Sequence, residues 1–280
     1  MNIDQAIKKA SVDLKRYQIK SALLDCEILM SKVLNKSRKF VIMNPNEKIN
    51  DYEYHNFRAF ISSRIKGKPI AYITGEKSFW KYDFKINEKV LIPRPDTEII
   101  IEQVLKIYKK KEGINFLEIG TGSGCIILSI LKEKKSFLGK GVDISKESLK
   151  VCINNAIKLG LINRLKLFKS DIDNFSSGKY DLIISNPPYI KSTDFKYLEK
   201  DVSKFEPKLA LDGGLDGLSE IRKVINKSSE LIKNNGKLIL EVAFDQKSKV
   251  INLLNEKGFY INRVLKDLGN NDRCIISNKI

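Results

Sequence analysis

Short apolar runs alternate with longer amphipathic stretches from residue 114 to the end of the chain. The pattern predicts strands at 114–119, 137–142, 165–168, 181–185 and 237–242, with helices at 145–159, 216–234 and 246–257. Strands and helices that alternate at this spacing form an α/β fold with a mostly parallel, doubly wound sheet. Two final strands, near 259–265 and 273–278, have no helix between them. They either pair as an antiparallel hairpin or lie far apart, and pairing would give a seven-stranded sheet.

The residues before this region have a different pattern. Apolar residues recur at helical spacing within 3–14, 22–33 and 51–65, which predicts a small helical N-terminal domain over 1–68. Segment 79–86 then alternates in polarity, meets Asn87-Glu88, and is followed by the short apolar run 90–92. We interpret this stretch as a β-hairpin linker over 69–92. The α/β domain then occupies 93–280.

Composition excludes several kinds of chemistry. His55 is the only histidine, and none of the four cysteines belongs to a Cys-x-x-Cys pair. A zinc site and a Ser-His-Asp or Cys-His hydrolase are therefore not expected, and we predict no metal. No apolar run reaches 18 residues, and the N-terminus lacks a basic head followed by an apolar run. We expect no membrane partner, a cytoplasmic location and a monomer.

The chain is strongly basic, with 51 Lys and Arg residues against 34 Asp and Glu residues and a formal net charge of +17. A basic surface can serve RNA, or a partner that is already bound to RNA. A genome rich in lysine and asparagine codons would give the same excess without any function. The excess is not concentrated in one block of the chain, so both readings stay open.

A glycine-rich loop, Gly120-Thr121-Gly122-Ser123-Gly124, follows the first predicted strand of the α/β region. Glycine lets the backbone adopt positive φ angles and approach a ligand closely. A nucleotide-like cofactor at this position would lie outside the carboxyl ends of the strands. The spacing differs from the dinucleotide Gly-x-Gly-x-x-Gly motif and from a phosphate-binding P-loop. A tight strand–helix turn without a ligand is the alternative.

Two acidic residues follow the next two strands. Asp143 ends the second strand and can accept hydrogen bonds from both ribose hydroxyls of a cofactor. Because Ser145 is an equally good helix cap, we expect Asp143 to be free for the ribose. Asp171 can meet the exocyclic amine of adenine, and Ile172 can pack on the adenine ring. Capping or simple turn formation is the alternative role of Asp171.

The tetrapeptide Asn186-Pro187-Pro188-Tyr189 directly follows the fourth strand. The two prolines fix the backbone and remove two donors. The Asn186 side chain and the Pro187 carbonyl can then both accept hydrogen bonds from one planar NH2 group, on which Tyr189 can stack. Holding both N–H bonds aligns the nitrogen lone pair with a sulfonium methyl group, which is catalysis by positioning. The alternative is a proline-rich turn without chemistry.

The order of these features resembles the class I methyltransferases, whose sheet also ends in an antiparallel hairpin. Segment 92–98, Ile-Pro-Arg-Pro-Asp-Thr-Glu, makes the chain most similar to the PrmC/HemK family. The other motifs in the resemblance are Glu206-Pro207, Ala210-Leu211, Gly213-Gly214, Asp216-Gly217-Leu218, Asp267-Leu268-Gly269 and Arg273. The resemblance covers essentially the whole chain, including the helical N-terminal domain.

Members of that family methylate the glutamine side-chain amide in the Gly-Gly-Gln motif of class I peptide chain release factors. The resemblance therefore implies S-adenosylmethionine as cofactor, S-adenosylhomocysteine as product and a release factor as partner. It assigns the cofactor to Gly120, Thr121, Gly122, Ser123, Gly124, Asp143, Asp171, Ile172 and Asn186. It assigns the glutamine amide to Asn186, Pro187, Pro188 and Tyr189, with Arg94 flanking the substrate side. Asn186, Pro187 and Tyr189 are the implied catalytic residues.

Two other enzyme functions remain as alternatives. A nucleic-acid adenine or guanine amino methyltransferase uses the same Asn-Pro-Pro-aromatic arrangement on a flipped base, and the net charge would suit it. A ribosomal-protein glutamine methyltransferase is a closer relative, but it differs from the Ile-Pro-Arg-Pro pattern. A non-catalytic binding protein would not need both an intact glycine loop and an intact Asn-Pro-Pro-Tyr.

Overall fold

The computed structural model describes all 280 residues, which divide into two compact units. One unit comprises Met1–Gly75 together with Glu199–Phe205. The other comprises Glu76–Leu198 and Glu206–Ile280. None of the helices is both long enough and apolar enough to cross a membrane.

The first unit is helical. Its helices in Met1–Gly75 are α1 (Ile3–Arg16), α2 (Ala22–Leu34), α3 (Arg38–Met43), α4 (Asp51–Ile65) and α5 (Ile70–Thr74). Asn2 and Asn50 begin α1 and α4 with capping boxes, in which the asparagine oxygen accepts a backbone N–H three residues later. Leu14, Leu29 and Phe57 are fully buried in one apolar cluster, so this unit has its own core.

The second unit contains all nine strands and the remaining helices. It begins with β1 (Glu76–Phe79), β2 (Tyr82–Lys85), α6 (Glu98–Ile107), β3 (Asn115–Ile119), α7 (Cys125–Glu133), β4 (Leu138–Asp143), α8 (Lys146–Lys158), β5 (Leu165–Lys169) and β6 (Tyr180–Ser185). After the short helix α9 (Lys200–Phe205), which belongs to the first unit, come α10 (Ser219–Leu231), β7 (Ile232–Glu241), α11 (Lys247–Glu256), β8 (Phe259–Lys266) and β9 (Asp272–Lys279).

Seven strands form one sheet in the order β5-β4-β3-β6-β7-β9-β8. The first five are parallel, and β9 pairs antiparallel with both β7 and β8. This is the predicted class I methyltransferase sheet, and the last two strands pair as a hairpin rather than lying apart. The central strands are apolar because helices cover both faces of such a sheet, and Leu117, Ile183 and Ile239 are fully buried.

The chain reverses its direction of winding between β3 and β6. From β3 it proceeds outward to β4 and β5, and then it returns to the other side of β3 to form β6 and β7. Ligands of open α/β sheets bind at this kind of switch point, outside the carboxyl ends of the strands. The topology therefore directs attention to the loops that follow β3 and β6.

A β-hairpin lies within the predicted segment 69–92, but its turn is not where the sequence pattern indicated. The two strands β1 and β2 turn at Trp80-Lys81, not at Asn87-Glu88, and segment 90–92 is not a strand. Both strands belong to the second unit.

Tertiary contacts explain this turn, since its residues carry no turn signature. Trp80 has a φ of 57°, an unfavourable value for a bulky residue. Its backbone N–H donates to Glu98 at 2.6 Å and its indole N–H donates to Glu133 at 2.9 Å. Both partners are distant in the sequence, so local propensity does not reveal the turn.

The predicted helix at 216–234 is also too long. Gly217 has a φ of 75°, and the Asp216 side chain accepts the Leu218 N–H at 3.0 Å. This turn delays the start of α10 until Ser219. At the other end, Ile232 is extended and opens β7, where it pairs with Tyr180.

Candidate active site

The loops that follow β3 and β6 begin side by side. Ile119 pairs with Ser185 in the sheet, and the Ser185 hydroxyl donates to the Ile119 carbonyl at 2.8 Å. Ser185 also pairs with Leu240 on β7. The residues that follow these three neighbours are therefore close together. Gly120 follows β3 and opens the glycine loop, Asn186 follows β6, and Glu241 follows Leu240 on β7.

The glycine loop has three residues in the left-handed region, with φ angles of 78° at Gly120, 55° at Gly122 and 80° at Gly124. A β-carbon at Gly120 or Gly122 would meet no atom within 4 Å, so the backbone there is open to a ligand. A β-carbon at Gly124 would lie 2.5 Å from Cys152 Sγ. Gly124 therefore serves the packing of α7 against α8, whereas Gly120 and Gly122 offer an exposed surface. Thr121 and Ser123 between them are buried.

Asp143 lies beside this loop, and its carboxylate binds two backbone N–H groups of the protein. One carboxylate oxygen accepts the Gly122 N–H at 2.8 Å, and the other accepts the Ser145 N–H at 2.8 Å. Ser145 is the helix cap, as predicted, and its hydroxyl accepts the Ser148 N–H. Burial raises the pKa of Asp143, while these two backbone bonds lower it. Each oxygen retains further acceptor capacity, so the carboxylate shapes the loop and can still meet a ribose.

Asp171 and Ile172 follow β5. The Asp171 side chain accepts the Asp173 N–H at 3.0 Å and caps a short 3-10 turn, which is the alternative role considered for it. Ile172 is only 8% exposed and packs in the main apolar cluster of the sheet with Val142 and Phe175. Little of its side chain is therefore available to an adenine ring.

Asn186 is oriented by a residue that precedes the sheet. Its Nδ2 donates to Thr97 Oγ1 at 3.2 Å, and Thr97 is buried at the start of α6. No hydrogen bond in the protein ends on Asn186 Oδ1 or on the Pro187 carbonyl oxygen. The two acceptors that the sequence analysis assigns to a planar NH2 group are thus both available.

Tyr189 is held at both its backbone and its hydroxyl. Its carbonyl accepts Gln246 Nε2 at 3.1 Å, and its hydroxyl donates to Glu241 Oε1 at 3.4 Å. Burial, together with the charge of Glu241, raises the pKa of Tyr189 to about 12. The hydroxyl is therefore a neutral donor near pH 7, and the ring has a fixed orientation.

Glu241 is a functional candidate that the sequence analysis missed. It is 1% exposed, and burial raises the pKa of its carboxyl to about 7. The nearby Thr97 hydroxyl and the charge of Arg273 lower that pKa, whereas the charge of Asp96 raises it. Its Oε2 has no hydrogen-bond partner within the protein. A charged residue directly after the apolar run Leu238-Ile239-Leu240 was a signal for it in the sequence.

The loop after α9 supports the Asn-Pro-Pro-Tyr backbone. A β-carbon at Gly213 would lie 2.8 Å from Tyr189 Cα, and one at Gly217 would lie 2.6 Å from the Tyr189 carbonyl oxygen. Buried Gln246 donates to the carbonyls of both Tyr189 and Gly217. Only residues without a side chain fit here, and Gln246 is a further residue that the sequence analysis did not identify.

Arg94 is bound within the protein. Its guanidinium pairs with Glu206 at 2.5 Å, and the other Glu206 oxygen accepts the Ile92 N–H at 3.3 Å. The Glu206 side chain is 1% exposed, whereas that of Arg94 is 36% exposed. The ion pair fixes the segment that leads into Thr97, and part of the guanidinium remains accessible.

The residues of the site thus form two groups. Gly120, Gly122 and Asp143 form one surface, and Asn186, Tyr189, Thr97 and Glu241 form another, with the pairing of β3 and β6 placing the two side by side. Asp171 and Ile172 follow β5, two strands away from β3. No cluster of His, Cys, Asp and Glu in the chain has the arrangement of a metal site.

Comparison with known families matches both parts of the chain. The family described as PrmC N-terminal domain matches residues 5–75, and a methyltransferase domain family matches residues 110–272. A release factor glutamine methyltransferase of Clostridium botulinum is 37% identical over 95% of this chain and 95% of the relative. The enzyme of the same name from Caulobacter vibrioides is 33% identical over 95% of this chain and 92% of the relative.

Other similar proteins differ in length or only share the fold. A bifunctional methyltransferase of Rickettsia conorii is 31% identical over the whole of this chain, which spans 58% of that relative's length. Among solved structures, the ribosomal protein L11 methylase of Lactobacillus delbrueckii subsp. bulgaricus has a TM-score of 0.52 at 19% identity. That match covers 73% of this chain and 90% of the other, and it shows the fold alone.

Proposed function

Because the chain belongs to the PrmC/HemK family of methyltransferases, we propose that it methylates the glutamine side-chain amide in the Gly-Gly-Gln motif of class I peptide chain release factors. The methyl donor in this proposal is S-adenosylmethionine, and no metal takes part. The observation that carries the proposal is the orientation of Asn186, whose Nδ2 is engaged by Thr97 while Oδ1 is left as an acceptor. An acceptor at this position suits a group that brings two N–H donors.

The residues around the glycine loop fit the proposed cofactor. A β-carbon at Gly120 or Gly122 would occupy space that is open in this structure, and the Asp143 carboxylate lies next to it. Gly120, Gly122 and Asp143 would hold the cofactor, and Asp143 would accept hydrogen bonds from its ribose. When bound, the cofactor supplies an electrophilic methyl group on a sulfonium.

The remaining work falls to the chain's own side chains. Asn186 Oδ1 and the Pro187 carbonyl oxygen accept the two N–H bonds of the substrate amide, which fixes the plane of that amide. The Tyr189 ring, held by Glu241 and Gln246, provides a surface on which the planar group stacks. Fixing the direction of both N–H bonds aims the nitrogen lone pair at the position of the methyl group, and the proton that the methylated nitrogen then carries in excess passes to solvent. We propose that this positioning, rather than a histidine base, is the source of rate.

A methyl-transfer experiment tests this function. Labelled S-adenosylmethionine is offered separately with a class I release factor, the same factor with its motif glutamine changed to alanine, a ribosomal protein mixture, bulk RNA and bulk DNA. Label on the unaltered release factor alone is the expected result. Label on the alanine variant as well would place the methyl group elsewhere on the factor.

A nucleic-acid amino methyltransferase is the second candidate, because the formal net charge of +17 favours a polyanionic partner. The RNA and DNA arms of the same experiment decide between the two. Label on nucleic acid and none on the release factor would make this second candidate correct.

A further inference from the structure

A pocket of about 340 Å³ lies at the amino edge of the large sheet, where β3, β4, β5 and β6 begin. The glycine loop and Asn186 lie at the opposite, carboxyl edge, and strands of five or six residues hold the two edges about 17–20 Å apart. Of the ten residues that line this amino-edge pocket, none is Asp or Glu. Four are cations, namely Lys140, Arg164, Lys166 and Lys179.

Two of these cations lie side by side. Lys140 and Lys166 are paired residues on the parallel strands β4 and β5, so their side chains leave the same face of the sheet. Like charges on paired residues repel each other, and no carboxylate lines the pocket to neutralise them. The carboxylate of Asp181, at the start of β6, instead binds Lys233 at 2.8 Å. A bound anion would remove the repulsion between the two lysines.

Neutral groups hold two of the cations in place. Arg164 Nη1 donates to the Lys134 carbonyl at 2.9 Å, which leaves Nε and Nη2 of the guanidinium as further donors. The Lys140 ammonium lies over the Tyr180 ring, 5.5 Å from its centroid. These contacts orient the cations without cancelling their charge. The amino-edge pocket is therefore organised for an anion before any anion binds.

The turn before β6 leaves the Lys140 ammonium uncovered. Gly178 has a φ of 94°, and a β-carbon there would lie 3.2 Å from Lys140 Nζ. A glycine at this position therefore allows the turn and keeps room beside the ammonium. Lys179, the next residue, donates to the carbonyl of Glu230, a contact that also leaves its charge uncompensated.

From this arrangement we infer that the amino-edge pocket binds the phosphodiester backbone of a nucleic acid. The cations belong to β4, to β5 and its approach, and to the residue before β6, and the sheet order places three strand spacings, about 14 Å, between β5 and β6. A single carboxylate or phosphate group is smaller than this spread, whereas the phosphates of a nucleic-acid strand repeat along its length. Lys and Arg supply such contacts, which carry no information about base sequence.

This site gives part of the net charge of +17 a defined location and a use. It also separates the binding of nucleic acid from methylation, because the pocket and Asn186 lie at opposite edges of the sheet. Nucleic acid bound there is a partner of the protein and not its methyl acceptor. The inference therefore goes beyond the proposed function and does not depend on it.

Fluorescence anisotropy with a labelled single-stranded RNA, and with the DNA of the same sequence, tests the inference. The Lys140→Gln/Lys166→Gln double variant should bind both strands about tenfold more weakly than the unaltered protein. The slope of log Kd against log salt concentration should become smaller by about 1.4, because each phosphate contact with a single strand contributes about 0.7. The affinities for RNA and DNA should differ by less than about threefold, since the contacts are to phosphates.

A second double variant, Lys249→Gln/Lys266→Gln, is the matched control. Both lysines are exposed and belong to the same unit, but they lie outside the pocket. The control loses the same charge, and its Kd should rise less than about twofold. Equal losses of affinity in the two double variants would mean that the net charge attracts nucleic acid without a site, which would overturn the inference.

Lys166→Glu separates weaker binding from a folding defect. Lys166 is exposed, and a carboxylate in its place can pair with Lys140, so the midpoint of urea unfolding should stay unchanged or rise. The affinity for RNA should nevertheless fall about tenfold or more. Undiminished RNA binding by this variant would contradict the inference.

Competition with inorganic phosphate at constant ionic strength distinguishes a strand from a free anion. Low millimolar phosphate should displace little of the RNA, because one phosphate group occupies only part of the row of cations. Complete displacement would show that the pocket takes a free anion and would overturn the assignment to a nucleic-acid backbone. None of these measurements needs a methyl acceptor, so each remains decisive whatever the enzyme methylates.

Discussion

The two ends of the Asn186 side-chain amide have nearly the same shape, so only their partners decide which end faces a substrate. Thr97 engages the Nδ2 end, which leaves Oδ1 available. Residue type and position after β6 are therefore visible in the sequence, but the orientation that makes the residue useful depends on a threonine 89 positions earlier.

The first prediction concerns Asn186. Replacing it with alanine should lower kcat about 100-fold or more, since an acceptor that binds the substrate only in the reactive orientation contributes to the transition state. Cofactor affinity should fall much less, and calorimetric titration with S-adenosylmethionine measures it. Equal losses of kcat and cofactor affinity would mean that Asn186 belongs to the cofactor site rather than the substrate site.

The second prediction concerns Asp143. Asp143→Ala should raise the cofactor dissociation constant about tenfold or more, because hydrogen bonds to a charged group contribute about 1.5–3 kcal/mol. Asp143→Asn is the matched variant. Its single side-chain oxygen can accept a hydrogen bond from Gly122 N–H or from Ser145 N–H, whereas the Asp143 carboxylate accepts from both. The cofactor dissociation constant of Asp143→Asn should lie between those of the unaltered protein and Asp143→Ala. An unchanged dissociation constant in the alanine variant would rule out this role.

At the scale of elements, the loop that carries Asn-Pro-Pro-Tyr is shaped by the segment 213–217 and by α11. Gly213 and Gly217 pack directly against the Tyr189 backbone, and Gln246 at the start of α11 donates to carbonyls of both segments. The two prolines restrict the backbone conformation of the loop, whereas the contacts with Gly213, Gly217 and Gln246 determine its position.

The third prediction tests that packing. Gly217→Ala introduces a β-carbon 2.6 Å from the Tyr189 carbonyl oxygen at a φ of 75°, so it should lower both stability and kcat. Gly160→Ala is the control, because Gly160 has a φ of 70° but no atom within 4 Å of the added β-carbon. It should show only the backbone cost of about 1 kcal/mol in urea unfolding, with kcat unchanged. Equal effects of the two substitutions on stability and kcat would show that the close contact between Gly217 and Tyr189 does not contribute to activity.

At the scale of the whole molecule, folding stability should depend on the ionisation of the site. The carboxyl of Glu241 has a pKa of about 7 in the folded protein and an ordinary value of 4.5 without burial. Below the lower value both states are protonated and the group does not oppose folding. As the pH rises toward about 7, the unfolded state releases the proton first, so folding stability falls.

The fourth prediction follows from this sign. Glu241→Gln should not lose folding stability in this way. The difference in the free energy of unfolding between the variant and the unaltered protein should therefore change by about 3 kcal/mol in favour of the variant from pH 4.5 to pH 7. Burial also raises the pKa values of Glu118 and Asp143, but both remain in the variant and cancel in the comparison. Urea unfolding of both proteins at pH 5 and pH 8 measures the difference. A constant difference across the two pH values would contradict the shifted pKa.

The sequence by itself determined the sheet class, most strand positions, the glycine loop and the Asn-Pro-Pro-Tyr tetrapeptide. These features are local, because hydrophobic periodicity, proline and glycine act over a few residues. The same reasoning misplaced the turn at Trp80 and extended α10 too far, and it did not anticipate the two backbone N–H groups that bind the Asp143 carboxylate.

Tertiary structure decided the rest, since those details depend on residues that are distant along the chain. Glu98 and Glu133 stabilise the Trp80 turn, and the register of β6 with β7 brings Glu241 beside the substrate loop. Thr97 then gives the Asn186 amide its direction. A hydrogen bond between separate elements has no periodic signature in the sequence, so the chemistry of the site could be anticipated from its residues, whereas its orientation required the fold.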